Sequence, residues 1–402
     1  MVGCSLRSFH TLLGPCGARG VCLSCMSVSG HMPLLYVALH ASPRHDVQPS
    51  LSTPSRGRVL RTDSHATVMS LAAWCEGSHM RVVVVPEYGG PEVLTLADLP
   101  EPEPGPGEVT VTVRFAGVNF TDVRNRIGDG LGVVPFVPGV EVAGTVRRVG
   151  EGVTGLRPGQ PVASLTRGHG YAEVVRAAAD LTIPLPENLA GRPESGGMLV
   201  TVPLALMLLR RVARVLPEET VLLHGAAGGV GTVTGQLARH LGLRPLLGTA
   251  STAAKAEFAR GYGYSNVFSY TGFAEGVLAA TAGRGVDVVL DPVGGQVRAR
   301  SFELLAPFGR LVTYSNISRE PEVVPDATWM RARCAGYLGF SGGQLPLRDP
   351  GLVRPSLLEA TSLISSGAVE VRVTSVFPLE QAVEAHRVFE RRAAVGKFIL
   401  AV

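Results

Sequence analysis

A glycine-dense turn constrains this chain more than any other stretch of its 402 residues. An apolar, β-branched run, Thr220–His224, leads into the turn, and a helical pattern, Thr232–Leu241, leads out of it. The turn has the spacing Ala-x-Gly-x-x-Gly, so small residues stand where side chains would block a pyrophosphate, and the helix N-terminus offers it unpaired N–H groups. Because it lies between a strand and a helix, the pattern predicts a dinucleotide-binding turn. The turn residues predicted to hold the cofactor are Ala226, Gly228, Gly229, Val230 and Gly231.

Composition sets the scale of the protein and argues against two classes of partner. Of its residues 46% are hydrophobic and 17% are charged, which is enough for a large core in two domains. The net charge is +4 without a basic cluster, so no nucleic-acid partner is expected. The longest mostly apolar run, Met198 to Leu209, ends at Arg210. A membrane span needs about 20 apolar residues, so this run predicts a buried helix and no membrane partner.

The cysteines are concentrated before the main body of the chain. Of the six, only Cys334 follows Met80. A disulfide framework for the main body is therefore excluded, and a reducing, cytoplasmic location is expected. The pair Cys22-x-x-Cys25 has no second pair at metal-binding spacing, so no metal site is predicted.

Residues 1–79 differ from the rest of the chain. They have no sustained period of 2 or 3.6 residues, whereas Met80 begins a clear strand pattern. Three explanations are open: an organelle transit peptide, a disordered tail, or upstream sequence translated from a misplaced start codon. We favour the third, because Glu76-Gly-Ser-His-Met80 back-translates to a purine-rich stretch like a bacterial ribosome-binding site. An intact mass of the natively expressed protein that includes residues 1–79 would contradict this explanation.

The rest of the chain divides into two parts by its pattern of predicted strands and helices. Residues 80–202 consist of short strand patterns between Pro/Gly turns, which predicts a β-rich domain, and residues 342–402 contribute a last strand to it. Residues 203–341 alternate strand and helix patterns. This alternation predicts an α/β domain with a doubly wound parallel sheet, called a Rossmann fold.

Motifs along residues 80–402 together resemble one family, while residues 1–79 share nothing with it. The segments are Tyr88-Gly-Gly-Pro-Glu-Val-Leu94, Pro104-Gly-Pro-Gly-Glu-Val109, Ala116-Gly-Val-Asn-Phe-Thr-Asp122, Pro138-Gly-Val-Glu-Val-Ala-Gly-Thr-Val146, Gly170-Tyr-Ala-Glu173, His224-Gly-Ala-Ala-Gly-Gly-Val-Gly231 and Gly285-Val-Asp-Val-Val-Leu-Asp-Pro-Val-Gly-Gly295. They are similar to the medium-chain dehydrogenase/reductase superfamily, in its zinc-free quinone oxidoreductase (zeta-crystallin-like) branch. The resemblance implies a GroES-like catalytic domain beside the Rossmann domain.

The zinc ligands of the superfamily's alcohol dehydrogenases are missing. Their cysteine and histidine positions fall in segments that here read Gly117-Val-Asn119 and Gly139-Val-Glu141. Without thiolate or imidazole ligands, zinc-dependent alcohol oxidation is not expected.

The strand after the glycine turn favours NADPH over NADH. It ends at Ser251 without the acidic residue that binds the ribose of NAD, and Lys255 follows at the start of a helix. We expect Ser251 to cap that helix, so that both residues reach one anion. The resemblance implies that these two and Tyr270 hold the 2′-phosphate, and that Lys397 lies beside the cofactor. A lone lysine is more often a solvated surface cation, but Lys255 and Lys397 are the only lysines in the chain.

The reaction implied by the resemblance is hydride transfer from NADPH to a quinone or to the C=C bond of an α,β-unsaturated carbonyl. Asn119 and Arg124 are the expected catalytic residues, and Asn119 is also a cofactor contact, unless its side chain only makes a turn bond. Thr201 is a further expected contact, or else a helix cap. Arg124 stands where relatives often carry tyrosines, and it faces either solvent or a substrate oxygen. The remaining expected cofactor contacts are Asn316 and Phe340, and His169 is expected to be a solvated loop histidine.

Two other functions stay open. An enoyl-thioester reductase of fatty-acid or polyketide synthesis shares the same glycine turn and Asn region, and Arg124 would suit its phosphate-bearing substrates. A cofactor-binding protein with a structural or RNA-binding role would bind NADPH without turnover. The resemblance also implies a homodimer, formed through the edge of the cofactor-domain sheet.

Overall fold

The computed structural model describes residues 78–391 and 394–402. The hypotheses about the N-terminal segment, including Cys22 and Cys25, fall almost entirely outside these residues. The strands, in chain order, are β1 (His79–Val84), β2 (Thr95–Pro100), β3 (Glu108–Val118), β4 (Glu141–Val149), β5 (Pro161–Leu165), β6 (Val174–Ala178), β7 (Thr182–Pro184), β8 (Val221–His224), β9 (Leu246–Ala250), β10 (Tyr264–Ser269), β11 (Val286–Asp291), β12 (Leu305–Thr313), β13 (Gly336–Gly339), β14 (Val373–Pro378) and β15 (Lys397–Ala401).

The α-helices are mostly short and connect or cover these strands. They are α1 (Phe120–Arg126), α2 (Met198–Met207), α3 (Gly229–His240), α4 (Ala253–Arg260), α5 (Phe273–Ala280), α6 (Gly295–Phe302), α7 (Ala327–Arg333), α8 (Leu345–Arg348), α9 (Pro350–Ser365) and α10 (Ala382–Glu390).

The strands form two main sheets of different character. Strands β8 to β13 make a parallel sheet in the order β10-β9-β8-β11-β12-β13, with β8 at the point where the order reverses. Strands β3 to β7 with β14 and β15 make a second, largely antiparallel sheet. The α/β fold predicted from the sequence, a doubly wound sheet beside a β-rich GroES-like domain, is confirmed.

The last strand returns to the β-rich sheet. Strand β15 pairs antiparallel with β3, with Phe398 opposite Val118, and parallel with β14. Just before β15, the N–H of Gly396 donates to the carbonyl of Ala227 in the glycine turn at 2.9 Å. The chain therefore brings its C-terminal segment against the cofactor turn.

A long apolar helical run forms much of the core. A 3₁₀ turn (Pro193–Gly197), α2 and a π-helical turn (Leu208–Val212) follow one another without a break. The run Pro193–Val212 is longer than the apolar stretch seen in the sequence, and it has the length and composition of a membrane span. However, 72% of its apolar window is buried inside the protein, as expected for a core helix.

Candidate functional site

A cavity of about 1380 Å³ lies between the two sheets. Its wall includes the glycine turn, the segment around Asn119, the end of β9 and the loop after β12. The predicted residues that line it are Asn119, Arg124, His169, Thr201, Gly228, Gly229, Val230, Ser251, Lys255, Tyr270, Phe340 and Lys397. Ala226, Gly231 and Asn316 are not among its lining residues.

The glycine turn has the geometry that the sequence predicts. Gly228 is the residue before α3, and a Cβ built on it would meet only Gly225 O, at 3.4 Å. A Cβ on Gly231 would come within 2.4 Å of Gly225 O and 2.5 Å of Ala226 O. Gly228 therefore leaves room on the cavity side, whereas Gly231 permits close packing of the helix against the turn.

The end of β9 differs from the sequence expectation in one detail. Thr252, not Ser251, caps α4, because its hydroxyl accepts from the N–H of Lys255 at 3.2 Å. The sequence alone does not show which of the two adjacent hydroxyl residues caps the helix. Because β9 ends at Ala250 and α4 begins at Ala253, the cap is Thr252. Ser251 and Lys255 both still line the cavity. Tyr270 also lines the cavity, and its ring stacks on His224 at a centroid distance of 6.2 Å.

A buried polar cluster adjoins the cavity, which two of its members, Asn119 and Lys397, line. Lys397 Nζ lies 2.6 Å from Glu141 Oε1 and 2.5 Å from Asn119 Oδ1, and Asn119 Nδ2 donates to Glu141 Oε1 at 3.0 Å. Glu141 Oε2 also accepts from the N–H of Val200, at 2.9 Å. The lysine is 4% exposed and Glu141 1% exposed, so Lys397 is not a solvated surface cation. The pairing neutralises two charges that would be costly to bury alone.

Glu141 is the residue that sequence reasoning missed. In the sequence it stands out only as part of a segment that lacks a histidine. Its signal was available, because an acid at the start of the apolar strand pattern Glu141–Val149 needs a buried partner.

A second buried network lies behind Asn119. Asp122 accepts from the backbone N–H groups of Asn119, at 2.9 Å, and Gly139, at 3.1 Å. Burial raises the pKa of Asp122 to about 6, although these two N–H groups and Lys397 act to lower it. The hydroxyl of Tyr171 reaches both Asp122 Oδ2 and His386 Nε2, and burial lowers the pKa of His386 to about 3. The network fixes the turn that carries Asn119.

Of three further predicted site residues, Arg124 and Thr201 line the cavity and Asn316 does not. Arg124 is held at the wall by Asp129, with Nε 3.2 Å from Oδ2 and Nη2 donating to the carbonyl at 2.6 Å. Thr201 does not cap a helix, because it lies inside α2, where its hydroxyl donates to Gly197 O at 3.1 Å. The side chain of Asn316 bonds Glu320 O and the Ser318 hydroxyl, which shapes the loop rather than the cavity surface.

Two aromatic or imidazole side chains complete the wall. Phe340 follows β13, where its N–H donates to Thr313 O at 2.9 Å. His169 has a φ of 67° and is an exposed loop residue, in agreement with the sequence expectation, and partial desolvation at the wall lowers its pKa below the ordinary value.

No group of three or more His, Cys, Asp or Glu side chains that could hold a metal ion occurs in residues 78–391 and 394–402. The two segments that carry zinc ligands in alcohol dehydrogenases, Gly117-Val-Asn119 and Gly139-Val-Glu141, lie in this part of the chain. Asn119 and Glu141 there are bonded to Lys397.

Two family profiles match the chain. Residues 105–192 match the alcohol dehydrogenase GroES-like domain, and residues 262–400 match the zinc-binding dehydrogenase family. The second description names a metal for which the described residues supply no such ligand group.

Curated relatives match most of the chain. The synaptic vesicle membrane protein VAT-1 homolog of Rattus norvegicus is 33% identical over 80% of this chain and 84% of its own length. A 2-haloacrylate reductase of Burkholderia sp is 31% identical, over 79% of this chain and 97% of its own. The quinone oxidoreductase of Rattus norvegicus is 30% identical, over 80% and 97%.

Solved structures share the fold over the same part of the chain. A mycobacterial protein complexed with NADPH has a TM-score of 0.75 at 34% identity, covering 80% of this chain and 100% of its own. The Escherichia coli quinone oxidoreductase complexed with NADPH has a TM-score of 0.74 at 29%, covering 81% and 100%. The CurK enoyl reductase has a TM-score of 0.72 at 27%, covering 80% and 99%. This chain belongs to the medium-chain dehydrogenase/reductase superfamily, in its zinc-free quinone oxidoreductase branch.

Proposed function

We propose that this protein reduces a quinone or the C=C bond of an α,β-unsaturated carbonyl, with NADPH as the hydride donor. As a member of this family the protein is an NADPH-dependent oxidoreductase. The observation that carries the finer proposal is the single cavity that joins the glycine turn to the buried Asn119–Glu141–Lys397 cluster. A cofactor that spans this cavity would end beside the buried ammonium of Lys397.

The residues present fit an extended phosphorylated dinucleotide. Gly228 and Gly229 would hold the pyrophosphate at the start of α3, where a Cβ on Gly228 would fill otherwise open space. Ser251, Lys255 and Tyr270 would hold the 2′-phosphate, because a cation and hydroxyls favour a dianion and no acid lies beside them on β9. Thr201, Phe340 and Lys397 would surround the nicotinamide end.

The proposed reaction does not require the protein to form a covalent bond to the substrate. Bound NADPH supplies the hydride. The chain must hold the acceptor carbon within reach, exclude water and stabilise the charge that forms on the substrate oxygen. The apolar side chains of Phe136, Val137 and Met207 line the cavity and would exclude water from it.

An enoyl-thioester reductase is the second candidate. Arg167 and Arg319 line the cavity together with Arg124, and guanidinium groups suit the phosphates of a coenzyme A or carrier arm. The structural likeness to the CurK enoyl reductase supports the same candidate.

The assembly and location remain proposals. Strand β13 is one of the two edge strands of the parallel sheet, and Leu338 on it is 37% exposed, which would suit a homodimer formed by edge pairing. Light scattering tests this proposal. The expected cytoplasmic location is a prediction from cysteine distribution alone.

One assay tests the function. NADPH oxidation is followed with a panel of quinones, enones and enoyl-CoA esters at matched concentrations. The proposal expects turnover of quinones or simple enones, whereas a preference for enoyl-CoA esters would establish the second candidate. NADPH binding without turnover of any of these would contradict both.

A further inference from the structure

Hydrogen-bond accounting at the buried cluster separates the roles of its members. An asparagine amide has two N–H donors and one acceptor oxygen. One Asn119 N–H donates to Gly117 O at 3.2 Å, and the other donates to Glu141 Oε1 at 3.0 Å. The oxygen accepts from Lys397 Nζ at 2.5 Å, and this fixes the amide orientation, because a flipped amide would set a donor against a donor. Asn119 therefore has no N–H left for a substrate oxygen.

Lys397 has a donor to spare. Its ammonium carries three N–H groups, and Glu141 Oε1 and Asn119 Oδ1 accept two of them. Within residues 78–391 and 394–402 no acceptor is recorded for the third. Lys397 and Asn119 both line the cavity.

The aliphatic stem of Lys397 is held against glycines. A Cβ on Gly197 would lie 2.7 Å from its Cγ and 2.8 Å from its Cε, and a Cβ on Gly229 would lie 3.8 Å from its Cδ. The stem thus runs between the start of α2 and the glycine turn, and its charged end emerges beside Asn119. Such packing holds the ammonium in one position, which is what preorganised stabilisation of charge requires.

We propose that Lys397, rather than Asn119, donates the hydrogen bond to the carbonyl oxygen of the substrate. This inference rests on the proposed function. When a hydride reaches the β-carbon, the π electrons of the C=C bond move toward the carbonyl and its oxygen takes the negative charge. The third N–H of Lys397 binds that oxygen, and the α-carbon then takes a proton from water. Glu141 and Asn119 hold the ammonium in place.

The scarcity of lysine gives this proposal a direct spectroscopic test. The chain has two lysines, so protein labelled with ¹³C at lysine Cε gives two such signals, and Lys255→Arg assigns them. The probe is a saturating enone added to the NADP⁺-bound protein, in which no hydride is available. The signal of Lys397 is expected to shift on addition of the enone, while that of Lys255 stays unchanged.

Kinetics supplies the second readout. Lys397→Met alone leaves Glu141 buried without its partner and destabilises the fold, so the double variant E141Q/K397M is used. In this variant residue 141 can still accept from the Val200 N–H. Its kcat is expected to fall about 100-fold, the usual effect of losing one such donor. The dissociation constant for NADPH, from fluorescence titration, is expected to change much less than kcat, because Lys397 is one of several residues around the nicotinamide end whereas its third N–H is the proposed donor to the substrate oxygen.

Three results would overturn the assignment. They are a Lys397 signal that ignores the enone, a kcat that survives the double substitution, and a large rise in the NADPH dissociation constant at unchanged kcat. Each requires a wild-type protein that turns over an enone. A wild-type protein that reduces no quinone or enone would instead contradict the proposed function itself, and this inference with it.

Discussion

The Tyr171 hydroxyl lies 3.3 Å from Asp122 Oδ2, and both side chains are fully buried behind the Asn119 turn. Asp122 also accepts from the N–H groups of Asn119 and Gly139, which belong to two segments of the cavity wall. One carboxylate therefore ties together the turn before α1 and the loop before β4.

Replacing this carboxylate should loosen the site. In the wild type, each carboxylate oxygen of Asp122 accepts a backbone N–H bond, one from Asn119 and one from Gly139. In Asp122→Asn, the new NH₂ group must therefore face one of these two N–H donors. We expect the free energy of unfolding to fall by about 1–3 kcal/mol and kcat to fall at least tenfold. Chemical denaturation and steady-state kinetics measure these. Asp98→Asn, at an exposed position on β2, is the matched control and should change neither.

The stability of the protein should fall as pH drops below about 6.5. Burial lowers the pKa of His224 to about 4 and that of His386 to about 3, below the ordinary 6.5. These groups stay neutral in the folded protein but take up protons on unfolding, so their contribution is present above pH 6.5 and is lost toward pH 4. Burial raises the pKa of Asp122 from the ordinary 3.8 to about 6, so Asp122 acts in the opposite direction over that range, but it is one group against the histidines whose pKa values are lowered.

His224→Gln tests this pH dependence. The variant should lose less stability than the wild type between pH 6.5 and 4, by up to about 3 kcal/mol. Urea denaturation at each pH measures the difference. His240→Gln, exposed at the end of α3, should follow the wild-type curve. Parallel curves for all three proteins would contradict the assignment to His224.

Lys255 should discriminate between the two nicotinamide cofactors. Lys255→Glu places a negative charge beside the proposed 2′-phosphate, so the KM for NADPH should rise at least tenfold while that for NADH changes little. Arg239→Glu makes the same change of charge at an exposed residue away from the cavity, and should leave both KM values unchanged. Equal effects of Lys255→Glu on the two cofactors would exclude the 2′-phosphate role.

Gly228 should separate cofactor binding from folding. Its added Cβ would have 3.4 Å of clearance, so Gly228→Ala should fold but intrude on the pyrophosphate and weaken NADPH binding at least tenfold. Gly261→Ala has the same clearance outside the cavity and serves as the control. Isothermal titration measures the NADPH affinity of both variants. Equal affinities for Gly228→Ala and Gly261→Ala would contradict the proposal that Gly228 contacts the pyrophosphate.

Local patterns predicted the cofactor half of the molecule well. The strand, turn and helix around Gly228 follow from residues adjacent in sequence, so the sequence alone is enough to identify the family and the fold. The substrate half depends on distant pairings. Glu141 and Lys397 lie 256 positions apart, and only the pairing of β3 with both β4 and β15 brings them together.

Side-chain partners explain the other differences. Asn316 follows a strand of the parallel sheet, and Ser318 and Glu320 bind its amide within the loop, outside the cavity lining; its contact with the cofactor stays a prediction. Arg124 could have faced solvent or substrate, and its position at the wall depends on Asp129, five residues away. Such choices between neighbouring acceptors are settled by backbone geometry that sequence patterns do not resolve.

Isotope transfer is the most direct test of the proposed reaction. The protein is incubated with a simple enone and NADPH that carries deuterium at C4 on the transferred face, and the product is analysed by mass spectrometry and NMR. The expected product is the saturated ketone with one deuterium on the β-carbon and an α-proton from water. An enone recovered unchanged, together with a quinone that also takes no electrons from NADPH, would contradict the proposed function.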